Sequence, residues 1–474
     1  MEEKQMKKLI ALLLALVMVL GMTACGSTPE AAPEAAPEAA PEAAPEAAPE
    51  AAPEETPAEF VVPGITEIKI GEDYTDLTAT IEYFHGRTDL ENNGYMDQLI
   101  ADFNKLYPNI TVEHSATTAM ADDLMMRLTS GDYPDLFRNS NVLTPENYAD
   151  YCTPWDSVEA ISGAYNGSTY VADDQVYGLP FELNSYGFVY NKAVFAEAGI
   201  TELPKTPEEF QAALKAIKEN TDAIPMYTNY KDNWPLNVWH QMVDAAVGDS
   251  NYANVSIMYT ANPVAEGTAA RAVYKMLWDA VEAGYTEEDY STTDWEASKN
   301  WINEGGVGCT MIPSWYYAQA CGAGESDEDL AFMAFPVLSG ETYNMVGGGD
   351  HHFMSNKGTP EEQTATKIFY KWFIEESSLF VDETKIRPNI GAEAPAFLSA
   401  VADLPTVGLN TGNSEETQLL ADMKTETENL FHAGDSVMYL IEAAATGIDT
   451  FDNIMNEWNQ QWTDAQEALG VATN

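Results

Sequence analysis

Thr78-Ala-Thr-Ile-Glu-Tyr-Phe84 alternates in polarity. It is followed by Met96, Leu99, Ile100, Phe103 and Leu106 at helical spacing, and then by Ile110-Thr-Val112. The period of two predicts a half-buried strand, the spacing of three and four an amphipathic helix, and the second apolar run another strand. Strand, helix and strand at this separation form a right-handed parallel unit. Two later segments repeat one helix start. Lys205-Thr-Pro-Glu-Glu209 and Gly358-Thr-Pro-Glu-Glu362 each set a threonine cap before a proline, with glutamate placed to complete a capping box. From Ser436 onward the chain reads as helix, with Ile448 to Trp462 amphipathic. No repeat of solenoid length occurs, and the class is α/β with open sheets flanked by helices.

The N-terminal region has a different character. Lys4, Lys7 and Lys8 precede the aliphatic run Leu9 to Leu20, and Met22-Thr-Ala-Cys-Gly26 follows. This order describes a secretory signal, residues 1–24, whose apolar stretch is short for a membrane span. The junction resembles a bacterial lipobox, with Met22 in place of the usual leucine, which implies lipidation of Cys25. Residues 25–58 repeat Ala-Ala-Pro-Glu. Proline at every fourth position blocks helix, and like charges extend the chain, so the segment is a semi-rigid stalk without a core.

The formal net charge is -54. A surface this acidic repels nucleic acid and anionic head groups. Beyond Cys25 the only cysteines are Cys152, Cys309 and Cys321, too few and too scattered for a disulfide framework. A Cys309–Cys321 bridge is left open, with buried apolar thiols the favoured state.

Several stretches, in order, resemble the bacterial extracellular solute-binding proteins of the sugar-binding type, such as those for maltose and oligosaccharides. They are Ser130-Gly-Asp-Tyr-Pro-Asp-Leu136, Tyr177-Gly-Leu-Pro-Phe181, Val189-Tyr-Asn-Lys-Ala-Val-Phe195, Pro204-Lys-Thr-Pro-Glu-Glu-Phe210, Gly306 to Trp315, and Val346-Gly-Gly-Gly349. The resemblance runs from about Thr78 to the C-terminus. It implies a two-lobed periplasmic-binding-protein-like fold, each lobe an open, mostly parallel sheet flanked by helices, with the ligand cleft between them. The crossings map to about 181–186, 335–346 and 386–391. The first lobe is then 78–182 plus 346–385, and the second 185–335 plus 391–474. The implied function is capture of a mono- or oligosaccharide for the permease subunits of an ABC importer. The protein would act as a monomer, anchored through Cys25 on the outer face of the cytoplasmic membrane of a Gram-positive cell. No cofactor and no nucleic acid is implied.

Ligands in open α/β sheets bind beyond the carboxyl ends of strands. Sugars need polar side chains for hydroxyls and an aromatic ring for the apolar ring face. The expected ligand contacts are His85 and Arg87 after the first strand, Asn139 after Pro134-Asp-Leu136, and Asn184 in the first crossing. Asn229, Tyr230 and Trp234 are expected from the aromatic-rich segment, with Trp239 in the core. Trp315 ends a buried strand and matches the position where relatives stack a sugar. Asp350 and His351 follow the glycines. Asp350-His351-His352 lacks the spacing of a metal site, because successive strand residues face opposite ways. No nucleophile elbow, zinc-protease pair or phosphate loop is present. A paired-carboxylate glycoside-acting enzyme, a peptide or polyamine binder and an adhesin remain the rival readings.

Overall fold

The computed structural model describes residues 60–473 apart from 140, 141, 168, 326, 327 and 411. The signal segment and the whole stalk, Cys25 included, lie outside the described residues. The strands, in chain order, are β1 (Ala79–His85), β2 (Ile110–Ala116), β3 (Leu136–Arg138), β4 (Cys152–Thr153), β5 (Asp156–Ser157), β6 (Tyr170–Ala172) and β7 (Gln175–Gly178). They continue as β8 (Glu182–Asn191), β9 (Ile224–Tyr227), β10 (Val307–Pro313), β11 (Leu330–Met333), β12 (Asn344–Gly349), β13 (His352–Ser355) and β14 (Thr406–Gly408).

One sheet has the order β2-β1-β3-β13-β4, and a second the order β14-β12-β8-β10-β9, with β11 also on β8. In the first, β1 runs parallel to β2 and β3, as the strand–helix–strand reading requires. Both sheets are mixed, however, where mostly parallel ones were expected: β13 is antiparallel to β3 and β4, and β8 to β10, β11 and β12. The helix between β1 and β2, Tyr95–Phe103, buries Met96, Leu99, Ile100 and Phe103. It ends earlier than the apolar spacing suggested. The Asn104 amide donates to the carbonyls of Tyr107 (3.0 Å) and Ile110 (2.7 Å), turning the chain. Leu106 is therefore 38% exposed, and Tyr107 fills the core instead.

Both capping boxes form. Thr206 Oγ1 accepts from Glu209 N at 3.2 Å, opening the helix Pro207–Asn220. Thr359 Oγ1 accepts from Glu362 N at 3.2 Å, opening Pro360–Glu375. The C-terminal helices are Gly434–Thr446 and Phe451–Leu469. Ile448 lies exposed in the turn between them, so the amphipathic helix starts at Phe451 and not at Ile448.

Three segments read as crossings meet on one strand. Glu182 to Tyr186 at the start of β8 pairs antiparallel with Met345 to Gly349, and Leu183 also bridges Ile386. The glycine run Gly347-Gly348-Gly349 differs in placement from the expectation. Its ladder to β8, together with the β12–β14 pairing, puts it in the second sheet. The chain re-enters the first sheet only at His352, on a strand that is buried throughout. Cys309 is a buried thiol whose Sγ donates to Pro225 O at 3.4 Å, and no Cys309–Cys321 bridge forms.

Candidate functional site

A cavity of about 990 Å³ opens where the two sheets approach the crossing strands. The first sheet contributes Tyr83, His85, Arg138 and His352, and the turn after β1 contributes Gly86, Arg87 and Asp89. Glu182, Asn184, Tyr186 and Gly349 come from the paired crossing strands. Glu296, Lys299, Trp315 and Gln319 form the opposite wall, and Asp382, Glu383 and Lys385 a third side.

The floor is a fixed hydrogen-bond chain. His352 Nδ1 lies 2.7 Å from the carbonyl of Asp350 and must donate to it, so Nε2 accepts from the Tyr83 hydroxyl at 2.9 Å. Burial pulls His352 down to about 3, which keeps the ring neutral, and burial raises the Tyr83 phenol. His85 stacks on Tyr83, with ring centroids 4.5 Å apart. Its Nδ1 accepts from the Arg87 amide at 3.1 Å, which leaves Nε2–H to donate to Glu91 at 3.0 Å. Both nitrogens are thus engaged, and His85 offers the cavity its ring alone. Burial lowers its pKa to about 4.

Most charges around the cavity are paired, while Asp382 accepts from the Tyr95 hydroxyl instead. Arg87 donates to Asp89 at 2.6 and 2.8 Å and to Glu383 at 2.9 Å. Burial opposes its charge, but these carboxylates outweigh that and hold the guanidinium above its ordinary value. Arg138 pairs with Asp350 at 2.8 Å, Lys385 contacts buried Glu182, and Lys299 pairs with Glu296 at 2.9 Å. Asp350 has φ of +50°, the left-handed region, which turns the chain sharply between β12 and β13.

Trp315 is positioned by its own segment. β10 is buried throughout and ends at Pro313, which pairs with Tyr186. Ser314 is then pinned to the crossing strand: its N donates to Ser185 O at 2.8 Å, and its hydroxyl accepts from Ser185 N at 3.0 Å. The next residue, Trp315, starts the helix Tyr316–Ala323 and stays half-buried at the cavity wall. Asn184 is buried at the wall beside it, its carboxamide without a hydrogen-bond partner among the described residues.

The cavity therefore gathers His85, Arg87, Asn184, Trp315 and Asp350. Five other residues named from the sequence lie outside its lining. Asn139 is buried and folds back on its own loop, accepting from Leu143 N at 2.7 Å and donating to Leu143 O at 3.1 Å. Asn229 is buried at φ +57° and donates to Thr310 Oγ1 at 3.3 Å. Tyr230 is buried and donates to Glu442. His351 packs edge-on against Tyr170. Trp234 is 40% exposed and lies against Trp315 at the rim. Trp239 is core, as expected. Tyr83, Glu182, Tyr186, Lys299, Glu383 and Lys385 were not singled out from sequence. The last two sit immediately before the crossing at Ile386, and that adjacency was the available signal.

The segment 88–377 matches the family model described as bacterial extracellular solute-binding protein. Two solved structures from Bifidobacterium animalis subsp. lactis are similar over most of the chain. The binding protein of an ABC transporter BlMnBP1, in complex with mannobiose, is 34% identical with a TM-score of 0.75, covering 86% of this chain and 99% of that one. The manno-oligosaccharide specific solute binding protein BlMnBP2, in complex with mannotriose, is 35% identical with a TM-score of 0.73, again covering 86% and 99%. The diacetylchitobiose binding protein DasA of Streptomyces coelicolor is 29% identical over 195 residues, 38% of this chain and 42% of DasA. The match thus spans less than half of that relative's length. With its family model matched over more than half of its length, on a periplasmic-binding-protein-like α/β fold, this chain belongs to the bacterial extracellular solute-binding proteins.

Proposed function

We propose that this protein captures a neutral oligosaccharide of the manno-oligosaccharide class in the cavity at the crossing strands and delivers it to an ABC importer. The observation that carries the reading is Trp315, rigidly presented beside the unpartnered amide of Asn184 in a cavity of about 990 Å³. A ring and an adjacent amide are what a pyranose needs for its apolar face and its hydroxyls. The volume accommodates a di- or trisaccharide. The mannobiose and mannotriose complexes of the two Bifidobacterium relatives support the same ligand size. Because each of the wall cations Arg87, Arg138, Lys299 and Lys385 already has its carboxylate, a ligand without net charge disturbs these pairs least. His85, Arg87 and Asp350 shape the wall, and Asn184 and Trp315 contact the sugar.

Binding without turnover is part of this reading. The acidic groups Glu182, Glu383, Asp350 and Glu296 each face a cation. Each is held by a cation of the protein itself, whereas a glycosidic proton donor must be free to reach the scissile oxygen. The lobes are proposed to divide near Glu182, between Gly349 and His352, and near Ile386, and to close on ligand by a hinge at those strands. Cys25 is the proposed lipid attachment point, tested by incorporation of labelled palmitate that is lost on Cys25→Ser. Among the described residues no helix is long and apolar enough to cross a membrane. Calorimetry with mannobiose, mannotriose, diacetylchitobiose, a peptide and a polyamine tests the ligand class. Saturable binding of a manno-oligosaccharide supports the proposal, and preference for the peptide or polyamine overturns it.

A further inference from the structure

Beside the sugar cavity, and outside its lining except for one ring, three ligand-type side chains converge. His85 and His114 share one face of the paired strands β1 and β2: His114 lies opposite Tyr83, and His85 is two residues further along. Glu91 reaches them from the short helix Thr88–Asn92. A single oxygen, Glu91 Oε1, is 3.0 Å from His85 Nε2 and 2.7 Å from His114 Nδ1. All three donor atoms lie within 4.8 Å of one another.

We propose that His85, Glu91 and His114 form a binding site for a divalent transition-metal ion, with Zn²⁺ the best-matched cation, and that its occupancy is linked to sugar binding. Two imidazoles and one carboxylate are the donor set that zinc takes when it keeps one position open. Zinc bonds of about 2.0–2.1 Å in a tetrahedron put donor atoms roughly 3.3 Å apart. The three donor atoms therefore need small shifts only, with the glutamate oxygen moving outward and the two rings closing in. His114 already has the outer partner that such a ligand uses, because its Nε2 is held by Asp97 at 3.1 Å. Placement on two adjacent strands brings both rings close together before any ion arrives.

The link to the cavity follows from proton placement. Without metal, His85 Nδ1 accepts from the Arg87 amide. A neutral imidazole that coordinates through Nε2 carries its proton on Nδ1, which would oppose the Arg87 N–H donor to donor. The turn through Gly86 and Arg87 must then re-seat, and both residues line the cavity. Coupling of this kind is reciprocal: the ion changes sugar affinity by the same factor as the sugar changes ion affinity.

The test is calorimetric titration of the full chain with Zn²⁺ in excess Ca²⁺, which occupies the many surface carboxylates. The expected result is one saturable zinc site, weakened about tenfold or more by His114→Ala and by Glu91→Gln, and a mannotriose affinity that differs between zinc-loaded and zinc-free protein; equal affinities overturn the linkage. Absence of saturable binding in the wild type, or binding that survives both substitutions, overturns the proposal. Zinc-edge X-ray absorption on the wild type gives a reading independent of variant folding. A first shell with two imidazole nitrogens supports the site, and a shell of oxygens alone overturns it.

Discussion

The Trp315 ring lies 5.9 Å from that of Trp234, centroid to centroid, at an interplanar angle of 28°. Trp295 meets both edge-on, at 4.7 Å from Trp234 and 5.9 Å from Trp315. Three tryptophans thus make a continuous wall that starts inside the cavity and reaches its rim. Lys299 lies 5.0 Å over the Trp295 ring and holds it in place. Such a wall suits a chain of sugar rings better than a single one.

Truncating Trp315 tests this directly. Trp315→Ala is expected to weaken oligosaccharide binding by about 1–3 kcal/mol while leaving the melting temperature close to that of the wild type. Trp234→Ala should lose less, and only for ligands longer than a disaccharide. Normal affinity in Trp315→Ala coupled with early melting would make the residue part of the core.

Much of this geometry was legible in the sequence, for identifiable reasons. The strand–helix–strand unit and the two capping boxes are local patterns, and locality is what periodicity and cap chemistry report. Trp315 could be found because a buried apolar strand, a proline and an aromatic follow one another in the chain. Asn139 and Asn229 show the limit. Both sit at strand ends, where ligands bind, but the amide of Asn139 is consumed by its own loop, and that of Asn229 is buried away from the cavity, its nitrogen on Thr310 and its oxygen without a partner among the described residues. The Tyr83–His352 bond joins residues 269 apart in sequence, and no local pattern announces it. The same holds for Lys385 with Glu182, and for His85 with His114 around Glu91.

Gly187 supplies a stability prediction. It lies in the middle of β8, between β10 and β11, and a Cβ there would stand 2.5 Å from the carbonyl oxygen of Met333. That oxygen is backbone in a paired strand and has little room to yield. Gly187→Ala should destabilise the protein by about 1–3 kcal/mol in denaturant unfolding, the usual cost of overpacking.

Asp244 makes stability depend on pH. Burial, with a smaller contribution from Asp249, raises its carboxyl from 3.8 to about 8 against the opposing hydrogen bond from the Ala253 amide. A carboxyl raised in the folded state holds its proton longer than in the unfolded chain. Its stabilising effect is complete below the unfolded value and is lost as pH rises through the folded one. Asp244→Asn should therefore melt higher than the wild type at pH above about 8, and the difference should shrink toward pH 4. A difference independent of pH would contradict this.

The stalk is expected to add reach and no affinity. Deleting residues 29–53 should leave sugar affinity unchanged in calorimetry while altering uptake by cells, because an extended proline-rich chain spans roughly 3 Å per residue. A large loss of affinity would mean that the stalk packs on the globular part.

The most direct test of the central claim is a calorimetric screen of the purified chain against a panel of neutral oligosaccharides, with a peptide and a polyamine alongside, run in parallel on Trp315→Ala. The account predicts saturable one-to-one binding of a manno-oligosaccharide, no release of smaller sugars, and a clear loss in the Trp315 variant. Binding of the peptide or polyamine with no sugar bound, or steady cleavage of the oligosaccharide, would contradict it.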